Sequence, residues 1–377
     1  MKKVVIFYPH IGEYGGIERN IVALTNEICL HGYEAILLCF YDYIDFSKYV
    51  SNNNFTEVIL GDSKNAFVKS RRLYKWLINN SEQIHGIPLF FGAKAGFFGA
   101  LSGYKNYVLH YTDPPSLLSK NTNNHTYLVN LITSVRAFIS NKVMAKGVLN
   151  AVSCVTMTVQ NATELQSIYN REFAVIYQGG LPAGCETRNI DRCKNDSLFL
   201  FSICRLSTSK NLDWLLEAMA YLHQQPKLTV LYTTIQLVIA GKGPDLARLK
   251  DIVNKYGLKD CVHFCGFLTE SGLEEMYNKT DVFLVPARQG YGLPVLEALY
   301  RQIPVLLNEA SRVSELLYEN PWVCITDNNS NSFKKNLYEY ILTLRENMPL
   351  PNTFLESLPT EAKWAAALGQ LCEWWIN

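Results

Sequence analysis

The chain has 377 residues, 48% hydrophobic and 18% charged, and its 35 Lys+Arg against 34 Asp+Glu leave a net charge of +1. At about 100–200 residues per domain this length points to two domains, and the apolar content excludes wholesale disorder. The near-neutral balance argues against a dedicated nucleic-acid binder, and no uncharged apolar run is long enough to read as a spanning helix.

MKKVVIFYPHIGEYGG at the start reads as a short strand and a glycine turn, too short in its apolar part for a signal peptide. KKVVIFYP (2–9) is the buried strand. GGIERNIVALTNEICLHG (15–32) follows with Ile17, Ile21, Leu24 and Ile28 at helical spacing and a closing Gly32. EAILLCF (34–40) is a strand and FVKSRRLYKWLINN (67–80) a helix; IPLFF (87–91), YVLHY (107–111), VSCVTMT (152–158) and FAVIY (173–177) are further strands. The pattern then restarts. SLFLFSICRL (197–206) is a strand, NLDWLLEAMAYLHQ (211–224) a helix, IQLVIAG (235–241) a strand, and a helix runs from about 244 to 256. CVHFCGF (261–267), DVFLVPA (281–287) and IPVLLN (303–308) complete the set, and TEAKWAAALGQLCEWWIN (360–377) reads as an amphipathic helix. Strand and helix alternating in this way predict two α/β halves, each a doubly wound parallel sheet covered on both faces. The polar, Gly/Pro-bearing stretch GGLPAGCETRNIDRCKND places the hinge near 180–196.

Ten cysteines (29, 39, 154, 185, 193, 204, 261, 265, 324 and 372) form no CxxC pair, and most sit in apolar runs. They predict buried free thiols in a reducing compartment, with no zinc site at Cys261 and Cys265. Charge is uneven: residues 63–150 hold eleven basic side chains against Glu82 and Asp113. That stretch suits solvated helix faces or a surface that docks on anionic lipid or an anionic acceptor, with Phe97, Phe98, Leu101, Phe138, Ile139 and Val143 as apolar contacts.

The chain lacks a GxxxxGK[ST] loop, HExxH, GxSxG and a DxD carboxylate pair, so no metal site, hydrolase nucleophile or P-loop ATPase is expected. Glycine-rich turns follow three strands, in HIGEYGGIERN, AGKGPDL and PARQGYGLPVLEAL. Each is a place where backbone N–H groups can approach an anion at a helix N-terminus, or simply a tight turn. In SICRLSTSKNLDW, Arg205 and Lys210 follow a strand; a guanidinium fork and an ammonium point charge at this spacing suit a diphosphate, or are simply a pair of surface cations.

This constellation resembles the retaining, nucleotide-sugar-dependent glycosyltransferases of GT-B fold, glycosyltransferase family 4. Gly15-Gly16-Ile17-Glu18-Arg19 is similar to that family's GG-x-ER loop, and Arg205 with Lys210 to its R-x4-K clamp. LVIAGKGPDLARLK (237–250), VHFCGFLTESGLEEMY (262–277), DVFLVPA (281–287) and GYGLPVLEAL (290–299) resemble its C-terminal units in order. The resemblance implies two Rossmann-like domains facing a cleft. The acceptor-side domain would be 1–185 with the helix 360–377 crossing back to it, and the donor domain 186–359. It implies catalytic roles for Arg205, Lys210, Gln289 and His110. It implies donor contacts at Gly15, Gly16, Gly266, Phe267, Leu268, Gly290, Tyr291, Gly292, Leu293 and Glu297, with base recognition through the backbone around Gly266-Phe267-Leu268. His110, in VLHYTDPPS, is placed near the donor sugar, with Asp113 shaping the same loop. In the family's Glu-x7-Glu motif the second carboxylate falls on Glu297 and holds the ribose, while the first position, which contacts the sugar hydroxyls, is Gln289. An amide keeps one acceptor, adds donors and loses the negative charge.

The implied reaction moves a sugar from a nucleotide donor to a glycan or polyprenyl-diphosphate-linked glycan, with retention and without a metal or other cofactor. Its setting would be surface-polysaccharide (lipopolysaccharide-type) synthesis in the cytoplasm, at the inner face of the membrane. A non-catalytic nucleotide-sugar-binding scaffold is the alternative, favoured by Gln289. An epimerase on the same fold lacks the carboxylate pair for proton transfer.

Overall fold

A computed structural model describes residues 2–112, 115–117, 127–180, 195–347 and 354–375, with 117 and 127–137 as backbone only. The chain divides into two compact units, Met1–Gln178 with Glu361–Asn377, and Gly179–Thr360. The sequence reading set the boundary at 185/186. Most of its hinge, residues 181–194 with Cys185 and Cys193, lies outside the described residues.

The N-terminal unit runs β1 (Lys3–Phe7), β2 (His10–Ile11), α1 (Gly16–Leu30), β3 (Glu34–Cys39), β4 (Tyr41–Asp42), β5 (Phe55–Ile59), α2 (Ala66–Asn79), β6 (Leu89–Phe91), α3 (Ala93–Ser102), β7 (Val108–His110), α4 (Tyr127–Asn150), β8 (Ser153–Thr156), α5 (Val159–Tyr169) and β9 (Ala174–Val175). Its main sheet has seven strands in the order β5-β3-β1-β6-β7-β8-β9, with parallel pairings throughout. Because side chains alternate across a strand, each apolar run feeds two cores. Val4, Ile6, Leu37 and Cys39 pack in one, while Val5, Phe7, Ile36 and Leu38 pack in the other.

The C-terminal unit runs β10 (Ser197–Ile203), α6 (Leu212–Leu222), α7 (Pro226–Leu231), β11 (Thr234–Ala240), α8 (Leu246–Tyr256), β12 (Val262–Gly266), α9 (Glu270–Lys279), β13 (Val282–Val285), α10 (Leu293–Tyr300), β14 (Val305–Asn308), β15 (Val323–Thr326) and α11 (Ser330–Glu346). Its six-stranded sheet is β12-β11-β10-β13-β14-β15, again all parallel. Two parallel-sheet α/β units are the expected GT-B class.

The sequence reading missed β5 and β15, and both are sheet edges. Thr56 and Ile59 of β5 are exposed and β15 is only partly covered, so neither strand carries the continuous apolar run of a central strand. The expected tail helix is shorter than 360–377: α12 spans Glu361–Leu371 and belongs to the N-terminal unit. There Trp364, Leu368, Cys372 and Trp374 join the core of the sheet face that α1 covers. Trp374 Nε1 donates to the Ile87 carbonyl at 3.0 Å, and Ile87 N donates to the Cys372 carbonyl at 2.7 Å. Gly86 makes room for this crossing. Its φ is +68°, and a Cβ there would stand 2.5 Å from the Cys372 carbonyl oxygen.

The cysteine expectation needs correcting in part. The eight described cysteines are free, and Cys29, Cys39, Cys154 and Cys372 are buried. Cys204, Cys261 and Cys324 are half-buried and Cys265 is exposed. Cys265 lies on the edge strand β12, where one face of the run meets water.

Candidate active site

In the C-terminal sheet the chain steps outward from β10 through β11 to β12, then returns to β13 on the other side of β10. The order therefore reverses between β10 and β13. In open parallel sheets the carboxyl edge at such a reversal is where ligands sit. A small hollow opens there, lined by Ser202, Cys204, Ala287, Gln289, Pro294 and Val295. Burial pushes the Cys204 thiol up to about 11, against the opposing charge of Lys210.

Of the expected residues, Lys210, Gln289 and Gly292 come together at this edge. Lys210 closes a 3-10 turn, Thr208–Lys210, between β10 and α6. Its Nζ donates to Gln289 Oε1 at 2.9 Å. Gln289 Nε2 donates to Ser311 Oγ at 3.1 Å, and Ser311 Oγ donates to the Tyr291 carbonyl at 3.0 Å. Gly292 caps α10 with φ +127°, and a Cβ there would lie 2.3 Å from Gln289 Nε2. The amide thus lies directly over a glycine that must remain a glycine. Arg205 is exposed two residues beyond β10, and Gly290 and Tyr291 are buried with Leu293 half-buried at the start of α10. α10 starts at the same edge, where Pro294 carries no backbone N–H and Val295 N donates to the Gly292 carbonyl at 3.0 Å.

Glu297, the position the resemblance gives to the ribose, is 3% exposed and accepts a 2.9 Å bond from the Tyr277 hydroxyl. Gly266 has φ +74° at the end of β12, followed by an exposed Phe267 and a half-buried Leu268. Lys242 Nζ lies 5.9 Å from the Phe267 ring centroid. The AGKGPDL glycines serve close packing. A Cβ on Gly241 or Gly243 would stand 1.9 Å from the Cys204 carbonyl oxygen or 2.1 Å from that of Leu206.

Gly15, Gly16 and His110 belong to the N-terminal unit. Gly15 caps α1, and its N–H donates to Glu18 Oε2 at 3.0 Å while the Tyr8 hydroxyl holds Oε1 at 2.8 Å. A Cβ on Gly16 would meet open space. His110 ends β7 fully buried, stacked on Phe91 at 4.3 Å and edge-on to Trp364 at 6.3 Å. Among the described residues neither ring nitrogen has a hydrogen-bond partner, and burial pushes the imidazole down to about 4, so the ring is neutral at pH 7. Asp113 lies outside the described residues.

The basic stretch is less uniform than its composition suggests. Lys69 is 8% exposed and paired with Asp62, and Arg72 donates to the carbonyls of Gly61 and Asp62. Phe98 is a core residue packed against Phe7 and Phe40 rather than a surface contact. Phe138 and Ile139 are exposed, with Lys142 Nζ 4.9 Å from the Phe138 ring. Lys120 and the Arg136 side chain lie outside the described residues.

Sequence reasoning did not single out Ser311, Tyr277, Asn211 or Asn308. Asn211 Nδ2 and Asn308 Nδ2 both donate to the Pro286 carbonyl, at 3.1 and 2.8 Å, and so pin the loop after β13. Asn211 has φ +50°, a conformation asparagine tolerates, which was a usable signal. Ser311 carries none, because it lies outside every motif. Among the described residues no group of three or more His, Cys, Asp or Glu could hold a metal ion, and no helix is long and apolar enough to cross a membrane.

Comparison with known proteins adds to this geometry. The chain is 28% identical over 181 residues to the uncharacterized glycosyltransferase MJ1607 of Methanocaldococcus jannaschii, covering 44% of this chain and 45% of that protein. It is 28% identical over 152 residues to the putative colanic acid biosynthesis glycosyltransferase WcaL of Salmonella typhimurium, covering 38% and 36%. The chain thus spans less than half the length of these relatives. The crystal structure of Anabaena Alr3699/HepE in complex with UDP shares the fold, with a TM-score of 0.66 at 16% identity over 99% of this chain and 95% of that one. Residues 186–348, which hold the hollow, Lys210, Gln289 and Glu297, match the family model described as glycosyl transferases group 1.

Proposed function

We propose that this protein is a glycosyltransferase that moves a sugar from a nucleotide-sugar donor to a glycan or lipid-linked glycan. The observation that carries the reading is Lys210, held against Gln289 beside the hollow at the β10/β13 reversal. The family match over 186–348 and the UDP bound by the HepE neighbour support it.

The chemical problem is the departing nucleoside diphosphate, which gathers negative charge as the bond to the anomeric carbon breaks. Lys210, Arg205 and the N–H groups around Gly290–Gly292 answer that charge with cations and dipoles, in place of a metal ion. Such preorganised groups act on charge as it develops. Glu297 takes the ribose and the backbone at Gly266–Leu268 the base, whereas His110, fully buried against Phe91 and Trp364, offers no surface to a sugar. In this scheme the sugar is retained, as in glycosyltransferase family 4, with a diphosphate oxygen taking the acceptor proton.

The acceptor reading is a glycan or polyprenyl-diphosphate glycan of surface-polysaccharide synthesis, supported by the colanic acid relative. The exposed Phe138 and Ile139 beside Lys142 suit docking on an anionic bilayer. Incubation with UDP-, GDP- and ADP-sugars, read by NMR, tests the proposal. Transfer with the donor's anomeric configuration kept supports it, whereas an inverted product removes retention. Gln289 favours a second reading, a scaffold that binds nucleotide sugar without turnover. Binding with neither transfer nor hydrolysis selects that one.

A further inference from the structure

Ser311 is fully buried, and its hydroxyl stands between two groups of fixed character. The Tyr291 carbonyl, 3.0 Å away, can only accept, so the single hydroxyl proton is committed to it. What Ser311 offers residue 289 is therefore a lone pair, and a lone pair calls for an N–H donor. Gln289 supplies one, Nε2 at 3.1 Å. That choice settles the other end of the amide: Oε1 faces Lys210 Nζ at 2.9 Å. The backbone supports the same register, because Gln289 and Ser311 form a parallel bridge in which Gln289 N donates to the Ala310 carbonyl and Arg312 N donates to the Gln289 carbonyl.

A carboxylate at 289 could not complete this chain. Its oxygen would meet the Ser311 lone pair, or draw the hydroxyl proton away from the Tyr291 carbonyl. It would also neutralise the Lys210 ammonium, which the amide orients without cancelling its charge.

We propose that Ser311 is a positioning residue of the diphosphate site: its lone pair selects an amide at position 289 and, through it, fixes the aim of Lys210. The inference rests on the donor reading above and gives Gln289 a physical reason.

The test is the affinity of the full chain for UDP, GDP and ADP by titration calorimetry, with the matching nucleosides as phosphate-free controls and thermal unfolding as a check on the fold. For the diphosphate that binds, Ser311→Ala is expected to weaken affinity about fivefold or more and Ser311→Thr, which keeps the hydroxyl, by less than about twofold, with nucleoside affinity unchanged. Gln289→Glu is expected to cost about tenfold or more in the wild-type background but only about threefold in the Ser311→Ala background. Should Ser311→Ala not fold, Gln289→Leu breaks the same link from the other side, and a loss of about fivefold is expected. Equal costs of Gln289→Glu in both backgrounds, or a Ser311→Ala or Gln289→Leu protein with wild-type affinity, overturn the proposal while leaving the donor reading intact. A wild-type chain that binds none of the three diphosphates overturns both.

Discussion

Tyr277 places its hydroxyl 2.9 Å from Glu297 Oε2, joining a phenol and a carboxylate that are both buried. Arg301 lies over the same ring at 4.6 Å and pairs with Glu274, so α9 and α10 are tied by one polar cluster beneath the ligand edge. Tyr277→Phe keeps the ring but leaves the carboxylate short of a donor. Urea denaturation is expected to show a loss of about 1–3 kcal/mol. A loss within error of zero would mean that the bond contributes nothing to the fold.

Lys210 is half-buried and is not among the residues of the apolar core packed against the sheet it follows, so removing its ammonium is expected to spare the fold. Lys210→Ala should lower sugar transfer by about 10²–10³, or roughly 3–4 kcal/mol, the usual cost of losing one fixed group that stabilises transition-state charge. Initial rates beside an unchanged melting curve check this. Wild-type turnover in the variant removes the clamp assignment.

His110 gives the protein a pH dependence whose sign follows from burial. Its folded pKa is lowered to about 4 from 6.5, so below pH 6.5 the unfolded chain takes up a proton that the native chain refuses. Stability is therefore full above about pH 6.5 and falls as pH drops toward 4, by about 2 kcal/mol at pH 5. His10, also lowered to about 4 by burial and by Lys69 and Lys94, adds a loss of the same sign. His110→Phe, which keeps the stack on Phe91, should flatten the fall measured by urea titration at pH 7 and pH 5. An unchanged slope would show that the imidazole is not held neutral.

Gly243 admits no side chain, since a Cβ would stand 2.1 Å from the Leu206 carbonyl oxygen, a backbone atom with no freedom to rotate away. Gly243→Ala is expected to destabilise by about 2 kcal/mol or more, as strain at a constrained backbone site does. Thermal unfolding measures it, and a variant as stable as wild type would mean that the loop after β11 yields freely.

Docking on anionic lipid is checked by sedimentation with phosphatidylglycerol vesicles. The wild-type chain should pellet at low salt and less at high salt, as charge screening requires. Phe138→Ser with Ile139→Ser should release it at both. Equal pelleting with neutral vesicles counts against the reading.

Much of this architecture is legible in the residues because a doubly covered parallel sheet writes its central strands as apolar runs. KVVIFYP, IQLVIAG and DVFLVPA each hold a central strand or its neighbour. The edge strand β5 escapes because part of its surface meets water, as Thr56 and Ile59 do, although the edges β9 and β12 are legible as FAVIY and CVHFCGF. At the site, Lys210 declares itself through its spacing from a strand end, and Gln289 through the resemblance of its motif to Glu-x7-Glu. Ser311 and Tyr277 do not, since a serine or tyrosine gains its role only from what the fold sets beside it. His110 illustrates a different gap. The sequence places it at a strand end, and only packing reveals that Phe91 and Trp364 enclose its ring.

The way residues 361–375 return to complete the first unit has a consequence for biogenesis. Trp364, Leu368 and Trp374 supply part of a core whose other members lie between Val4 and Val155. Residues 4–155 leave the ribosome before residues 361–375, and their apolar face stays unfilled until those later residues have been made. Where domains commonly fold in the order of their synthesis, this one closes last, and the intervening unit is free to mature before it.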